Sequence, residues 1–303
     1  METAKYKLTI AILTMNRSDQ LREAIDSCLG STLPASTQFV IVDNASTDDT
    51  PSVVEALKQT FPYDLVYHRE AENRGVGGGR SVCFDLAEGE YVYFLDDDAI
   101  IAPQSREDFF VTPLAYMDQY PKVASVTTQI YDEAFGYART DLMSKNRYEG
   151  KALAFFYLGG SHFLRKSCFD SPLYFKILYG AEEYAPSIKA IDRGFVHTFE
   201  DSVSIVHKPK VNKWVDGTAR MRNIQVRNVA VVYATKKLLY PVIFSPLLWA
   251  AYQKRCHMYL REYAGAKKEA NAMVRRLCRE NKTRKIRVRT VIDMYRTFGL
   301  TVF

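Results

Sequence analysis

The chain has no pair of cysteines at redox or metal-ligand spacing. Its five cysteines (Cys28, Cys83, Cys168, Cys256 and Cys278) are odd in number and lie far apart. That argues against a disulfide framework and a zinc site, and suits a reducing, cytoplasmic compartment. No apolar run reaches the roughly 18 to 20 residues that a membrane span needs. The start, Met1-Glu2-Thr3-Ala4-Lys5, carries an acid and leads straight into a strand, so no secretory leader is expected. Acids are scarce in the last third. Residues 208–303 hold 22 Lys+Arg against 5 Asp+Glu, a surplus of 17, whereas residues 1–207 hold 19 against 30. An acidic body with a basic final segment points that segment at something anionic. A membrane surface, an anionic acceptor and the acidic body of another subunit all fit. The basic segment lacks the interleaved aromatic platform of a nucleic-acid binder, so no nucleic-acid partner is expected.

What the chain does have is organised around Glu90-Tyr91-Val92-Tyr93-Phe94-Leu95-Asp96-Asp97-Asp98. Residues 91–95 read as a strand buried on both faces. Three successive acids then repel one another unless a positive charge sits among them. Carboxylate oxygens are the ligands that hard divalent cations prefer. The competing reading is a solvated acidic turn.

Upstream, Lys7–Thr14 reads as a first strand and Met15–Asp19 as a turn in which Ser18 or Asp19 caps the next helix. That helix stops at Gly30. Gln38–Val42 is a second strand, residues 52–59 a helix, and Asp64–His68 a third strand. Strand and helix alternating at this spacing predict βαβ units and a mainly parallel sheet. Right-handed crossovers bring the C-terminal strand ends to one edge, where Asp43 and Asp96–Asp98 both emerge. Between them lies Asn73-Arg74-Gly75-Val76-Gly77-Gly78-Gly79-Arg80, read as a loop before a helix from Ser81 to Glu88. Exposed backbone N–H groups before a helix suit a phosphate. A dinucleotide fingerprint fails because Arg80 stands where the last glycine is required. The alternative is a glycine-rich turn that lets a helix pack tightly on the sheet.

Taken together, these stretches resemble glycosyltransferase family 2. Its members open with a strand ending in Thr-x-Asn-Arg, here Thr14 to Arg17. Their second strand ends in Val-Asp-Asn-x-Ser-x-Asp-x-Thr, here Val42 to Thr50, and Asn-x-Gly follows at Asn73 to Gly75. An apolar strand then ends in the metal-binding DXD motif, here Asp96 to Asp98. The resemblance is strong over residues 5–105, looser to about 207 and weak beyond. It implies the GT-A fold, an α/β architecture with a mainly parallel, Rossmann-like sheet flanked by helices. By position, Thr14, Asn16 and Asp43 would contact the nucleotide base and ribose. Arg74 and Arg80 would lie near the diphosphate and Asp96 near ribose or metal. Arg17, Asn73, Gly75 and Asp97 complete the nucleotide-sugar set. Asp98 would hold Mn²⁺ or Mg²⁺, and a cation is what makes a nucleoside diphosphate an adequate leaving group.

In the second half, residues 106–120 read as a helix, Lys122–Ile130 as a strand and 131–152 as an irregular insertion on the acceptor side or a mobile loop. The turn around Gly159-Gly160-Ser161 looks like the family's floor of the acceptor pocket. Glu182-Glu183 opens a helix stopped by Gly194. The resemblance implies that this pair supplies the general base, Glu183 by position with Glu182 the alternative. The sequence departs here from the commoner Glu-Asp form. Without the resemblance the pair would read as acids facing a helix dipole. Ser202–Lys208 reads as a strand ending in His207, a further metal ligand in many family members; the alternative is a structural or satisfied surface histidine.

From residue 209 the chain reads as a basic, mostly helical extension that opens with a flexible loop. The apolar window Leu238–Ala250 reads as a helical hairpin on the catalytic domain or as a patch at a membrane interface. Tyr263, Ala266, Ala270, Met273, Val274 and Leu277 form a helical stripe, read first as core or as a dimer seam within 225–280 and second as a membrane face. Lys282–Arg289 is expected to fray.

The expected organisation is a catalytic domain over 1–208, with a donor half (1–105) and an acceptor half (106–208), followed by the extension 209–303. The expected activity is an inverting, metal-dependent transfer from a nucleoside-diphosphate sugar to a glycan or lipid-linked hydroxyl, at or near the inner face of the cell membrane. UDP is the leading nucleotide, with dTDP and GDP behind it. The rivals are a non-catalytic sugar-nucleotide-binding module and a sugar nucleotidylyltransferase. The latter would carry its glycine-rich loop after the first strand.

Overall fold

The computed structural model describes residues 4–133, 136–139, 144–177, 179–209 and 217–303. The first half alternates strand and helix: β1 (Tyr6–Thr14), α1 (Ser18–Leu29), β2 (Thr37–Asp43), α2 (Thr50–Lys58), β3 (Asp64–Arg69), α3 (Gly75–Leu86) and β4 (Gly89–Asp96). These strands pair in parallel in the order β3-β2-β1-β4. β2 is buried along its whole length and β4 nearly so, as continuous apolar runs require when helices cover both faces. The register sets Thr14 opposite Asp43 and Leu13 opposite Asp96. Three strands therefore end at one edge of the sheet.

The second half continues the sheet. It adds β5 (Ala99–Ile101), α4 (Val111–Gln119), β6 (Val123–Asp132), β7 (Tyr137–Arg139), β8 (Arg147–Tyr148), β9 (Lys151–Ala154), β10 (Ser161–Arg165), α5 (Tyr184–Asp192) and β11 (Val196–His207). Strand β10 inserts antiparallel between β4 and β6, and β11 runs parallel to β6. In that pairing His207 lies opposite Asp132, and on its other side opposite Ala99. The insertion read as irregular thus contains short strands, although residues 134–135 and 140–143 lie outside the described part.

Several local expectations change. The helix read over 106–120 starts at Val111, after a turn at 106–110. The position before α1 belongs to Arg17, and Ser18 and Asp19 fall inside the first turn. Gly30 ends that helix as read, its N–H donating to the Asp26 carbonyl at 2.9 Å. Helix α3 starts at Gly75, six residues earlier than the sequence reading. The glycines are its first turns. A Cβ on Gly79 would stand 2.3 Å from Leu13 Cδ1, so the missing side chain lets the helix lie directly on β1.

The C-terminal region holds α6 (Gly217–Leu239), α7 (Ser245–Leu260), α8 (Ala266–Glu280) and α9 (Val288–Phe298). The flexible loop expected over 210–214 and 220–223 falls outside the described residues in its first part, and its second part, Arg220–Asn223, is helical within α6. Ala266, Ala270, Val274 and Leu277 are buried within the chain, in a cluster that also takes Val226 and Val229 of α6. The core reading of that stripe is the observed one. The same cluster includes Phe155, Ile177, Ala185 and Ile188, so the extension shares its apolar core with the acceptor half. Lys282–Arg289 does not fray: Ile286 N–H donates to the Leu239 carbonyl at 2.8 Å, and the Arg287 N–H to Asp192 Oδ1 at 2.9 Å.

Candidate active site

At the sheet edge Asp43 is fully buried. Its Oδ1 accepts the Ser46 N–H at 2.7 Å and its Oδ2 accepts the Tyr67 hydroxyl at 2.9 Å. Asn16 sits in the left-handed region (φ 56°), which asparagine tolerates better than most residues. From there its Oδ1 accepts the Thr47 N–H at 2.7 Å and its own N–H reaches Ser46 Oγ at 2.9 Å. The two predicted donor-side loops are thereby locked together. Asn73 Oδ1 accepts from Asn44 Nδ2 at 2.9 Å and from the Gly75 N–H at 2.8 Å, with Gly75 at φ 73°. Arg74 is half-exposed and pairs with Glu70 at 3.1 Å.

The acidic turn after β4 is not a solvated one. Asp97 and Asp98 are buried, and a single Arg17 nitrogen donates to both, at 2.7 Å each. Burial pushes the Asp97 carboxyl up to about 6 against the pull of Arg17. Burial also pushes Asp98 up, but the His207 hydrogen bond and the Arg17 charge outweigh it and hold Asp98 below the usual range. His207 Nε2 lies 3.3 Å from Asp98 Oδ1, and its Nδ1 lies 3.1 Å from Asp132 Oδ2. Burial lowers the imidazole pKa, and the neighbouring acids more than restore it.

Asp96, Asp98 and His207 each offer one ligand atom, and these atoms lie within 4.8 Å of one another. Two carboxylates and an imidazole suit Mn²⁺ or Mg²⁺, Mn²⁺ being the more tolerant of nitrogen. The cationic partners that Asp98 already gathers mark the same place as one that favours positive charge. The donor set therefore fits the predicted metal.

Arg80 links this group to the second acidic pair. It is buried, and its Nη2 pairs with Asp96. Its Nη1 lies 3.2 Å from Glu182 Oε1 and 3.3 Å from Glu183 Oε1. The guanidinium expected near a diphosphate is engaged with three carboxylates. Gly180 (φ 92°) and Ala181 (φ 56°) form a left-handed corner that delivers both glutamates, and Glu183 is the residue from which α5 springs. A left-handed alanine costs roughly 1 kcal/mol and persists only where its surroundings impose it. Burial first, then the adjacent Glu182, raise the Glu183 carboxyl well above its ordinary value, and Arg80 opposes them. Gly159 makes the room: a Cβ there would stand 2.3 Å from Glu183 Oε1 and 2.7 Å from Arg80 Nη1.

The structure thus gathers Arg17, Arg80, Asp96, Asp97, Asp98, Glu182, Glu183 and His207 around the ends of β4 and β11. Thr14, Asn16, Asp43, Asn73 and Gly75 lie along the adjoining edge. Arg74 turns outward. Asp132, the second partner of His207, escaped the sequence reading. Its signal was the acid that ends an apolar strand.

The family described as Glycosyl transferase family 2 matches residues 9–172. Among curated relatives, a poly(ribitol-phosphate) beta-glucosyltransferase from Bacillus spizizenii is 29% identical over 100 residues, which are 33% of this chain and 16% of that protein. The chain covers less than a third of the length of the first such relatives. Among solved structures, S. aureus TarS 1–349 in complex with UDP-GlcNAc superposes with a TM-score of 0.63 at 15% identity, over 98% of this chain and 89% of that one. A mannosyltransferase from Pyrobaculum calidifontis in complex with GDP-Man and Mn²⁺ gives 0.60 at 18%, over 98% and 81%. Both likenesses show the GT-A fold.

Proposed function

Because the chain belongs to glycosyl transferase family 2, we propose that it moves a sugar from a nucleoside-diphosphate sugar to an acceptor hydroxyl with inversion at the anomeric carbon. The observation that carries this reading is the single guanidinium of Arg80, which ties Asp96 of the donor edge to Glu182 and Glu183. Donor-side carboxylates and a candidate base then sit around one point, as in-line attack requires.

On this reading Thr14, Asn16 and Asp43 receive the base and ribose, and Asp96, Asp98 and His207 would hold Mn²⁺ or Mg²⁺. The cation would supply the charge that a departing nucleoside diphosphate needs. Arg17 keeps Asp97 and Asp98 from repelling each other. Glu183 takes the acceptor hydroxyl proton. Burial and Glu182 raise its proton affinity toward the working range of a base, and the Arg80 charge opposes them. Arg80 serves as a positioning residue. Residues 1–105 bind the donor, 106–208 present the base and acceptor floor, and 209–303 buttress that floor. UDP is the proposed nucleotide, in line with the UDP-GlcNAc complex of TarS. The proposed acceptor is a glycan or lipid-linked hydroxyl.

The test is release of nucleoside diphosphate from UDP-sugars with Mn²⁺, followed by the anomeric configuration of the product. Glu183→Gln should lower turnover by about 10²- to 10⁴-fold, the usual worth of a general base, while donor binding is retained. Full turnover in that variant, with loss in Glu182→Gln, would move the base to Glu182. An axially linked product from an axially linked donor would reject inversion.

A further inference from the structure

Residues 217–261 hold eight Lys+Arg and no Asp or Glu. Within them, 239–253 carries no charged side chain at all. The core takes only part of that apolar window: Leu239, Tyr240, Leu248 and Tyr252 are buried. Phe244 and Ala251 are half-buried against the same core, and four large side chains face outward. Val242 is 75% exposed, Ile243 72%, Leu247 53% and Trp249 58%. A single exposed leucine needs no account, but four large apolar residues within eight positions do.

The turn that carries them is braced from behind. Pro241 and Pro246 bracket the short 3₁₀ turn Val242–Phe244. The Phe244 ring lies 5.9 Å from that of Phe303, and the Tyr240 hydroxyl donates to the Val302 carbonyl at 2.7 Å. The neighbouring turn Gly299–Val302 contributes Leu300, 76% exposed. A tip already held in shape loses little entropy on binding.

Charge decides what covers it. A second copy that met this face through its own copy of the same face would bring two segments together that each carry a surplus of 17 positive charges over 208–303. An anionic bilayer satisfies both features, with aliphatic and indole groups at the acyl boundary and Lys and Arg at the phosphates. Lys237 and Lys254 flank the window and are exposed. Among the described residues no helix is long and apolar enough to cross a membrane. We infer that the 3₁₀ turn Val242–Phe244 and the first turns of α7, from Pro241 to Trp249, form an interfacial anchor that lays Val242, Ile243, Leu247 and Trp249 into the headgroup boundary of an anionic membrane. The inference is independent of the donor-site reading, and its test measures no turnover.

The experiment is flotation of the full chain with vesicles of phosphatidylcholine alone or mixed with phosphatidylglycerol. The chain should float with the mixed vesicles and weakly with the neutral ones. The double variant Val242→Ser/Ile243→Ser should bind the mixed vesicles about tenfold or more weakly. Its melting temperature should be unchanged, since both side chains are exposed. On mixed vesicles the tryptophan emission should move to shorter wavelength, and in Trp249→Phe that move should be lost. No flotation with mixed vesicles, or equal flotation of the double variant, would overturn the anchor. A dimer in sedimentation velocity that the same double substitution dissolves would also overturn it, by assigning the patch to a second copy.

Discussion

The Arg80 guanidinium stands 3.3 Å from the Glu183 carboxylate and also pairs with Asp96. One buried cation therefore holds the proposed base in place and opposes the burial and the Glu182 charge that raise its proton affinity. Arg80→Met removes the charge that opposes burial and Glu182. The Glu183 pKa should rise further, so the acid limb of the kcat/KM profile should move to higher pH by about a unit or more. Leaving three acids unpaired should cost about 3–5 kcal/mol of stability, read by denaturant unfolding. Arg80→Lys keeps a charge and should show a smaller displacement of the limb. An unmoved acid limb in both variants would separate Arg80 from the base.

Gly159 makes a sharper distinction between stability and chemistry. An added methyl would meet Glu183 Oε1 at 2.3 Å and Arg80 Nη1 at 2.7 Å, both at the ends of side chains that can swing aside. Gly159→Ala should thus cost only about 1–3 kcal/mol in stability. Displacing the base by an ångström should cost about 10²-fold in kcat. Wild-type kcat would show that Glu183 need not stay where the structure puts it.

The sheet edge was legible because strands buried on both faces read as unbroken apolar runs, and β1, β2 and β4 begin and end within two residues of expectation. The acids at their ends follow from parallel topology. The start of α3 was not legible. Glycine reads as loop on local propensity, and only the approach of Gly79 to Leu13 reveals tight packing. Nor could the sequence join Arg80 to Glu182 and Glu183, which lie 102 and 103 residues away. The partners of Arg17, 80 and 81 residues downstream, were hidden in the same way. A tail read as frayed proved ordered because Asp192 of α5 holds it.

Asp192 gives a prediction about pH. Its Oδ1 accepts the Thr290 hydroxyl at 2.5 Å, the Arg287 N–H at 2.9 Å and Arg287 Nε at 3.2 Å. Burial raises its pKa, but these bonds outweigh burial and hold it below the ordinary 3.8. A depressed carboxyl stabilises the fold above its unfolded pKa, and the contribution is lost as pH falls through the folded value. Asp192→Asn should therefore lower the melting temperature at neutral pH and speed amide exchange in α9. The difference from wild type should shrink below pH 3.8. An equal difference at all pH values would show that shape, not charge, holds the tail.

The central claim is that the edge formed by β1, β2 and β4 binds a nucleoside diphosphate with a divalent cation. The most direct measurement is a thermal-shift panel of UDP, dTDP, GDP and CDP, each with Mn²⁺ or EDTA, on the wild type and Asp98→Ala. A ligand that binds only the folded state raises the melting temperature by mass action. A rise with UDP that needs Mn²⁺ and vanishes in Asp98→Ala is the predicted result. No rise with any nucleotide, or a rise that neither EDTA nor Asp98→Ala abolishes, would contradict it.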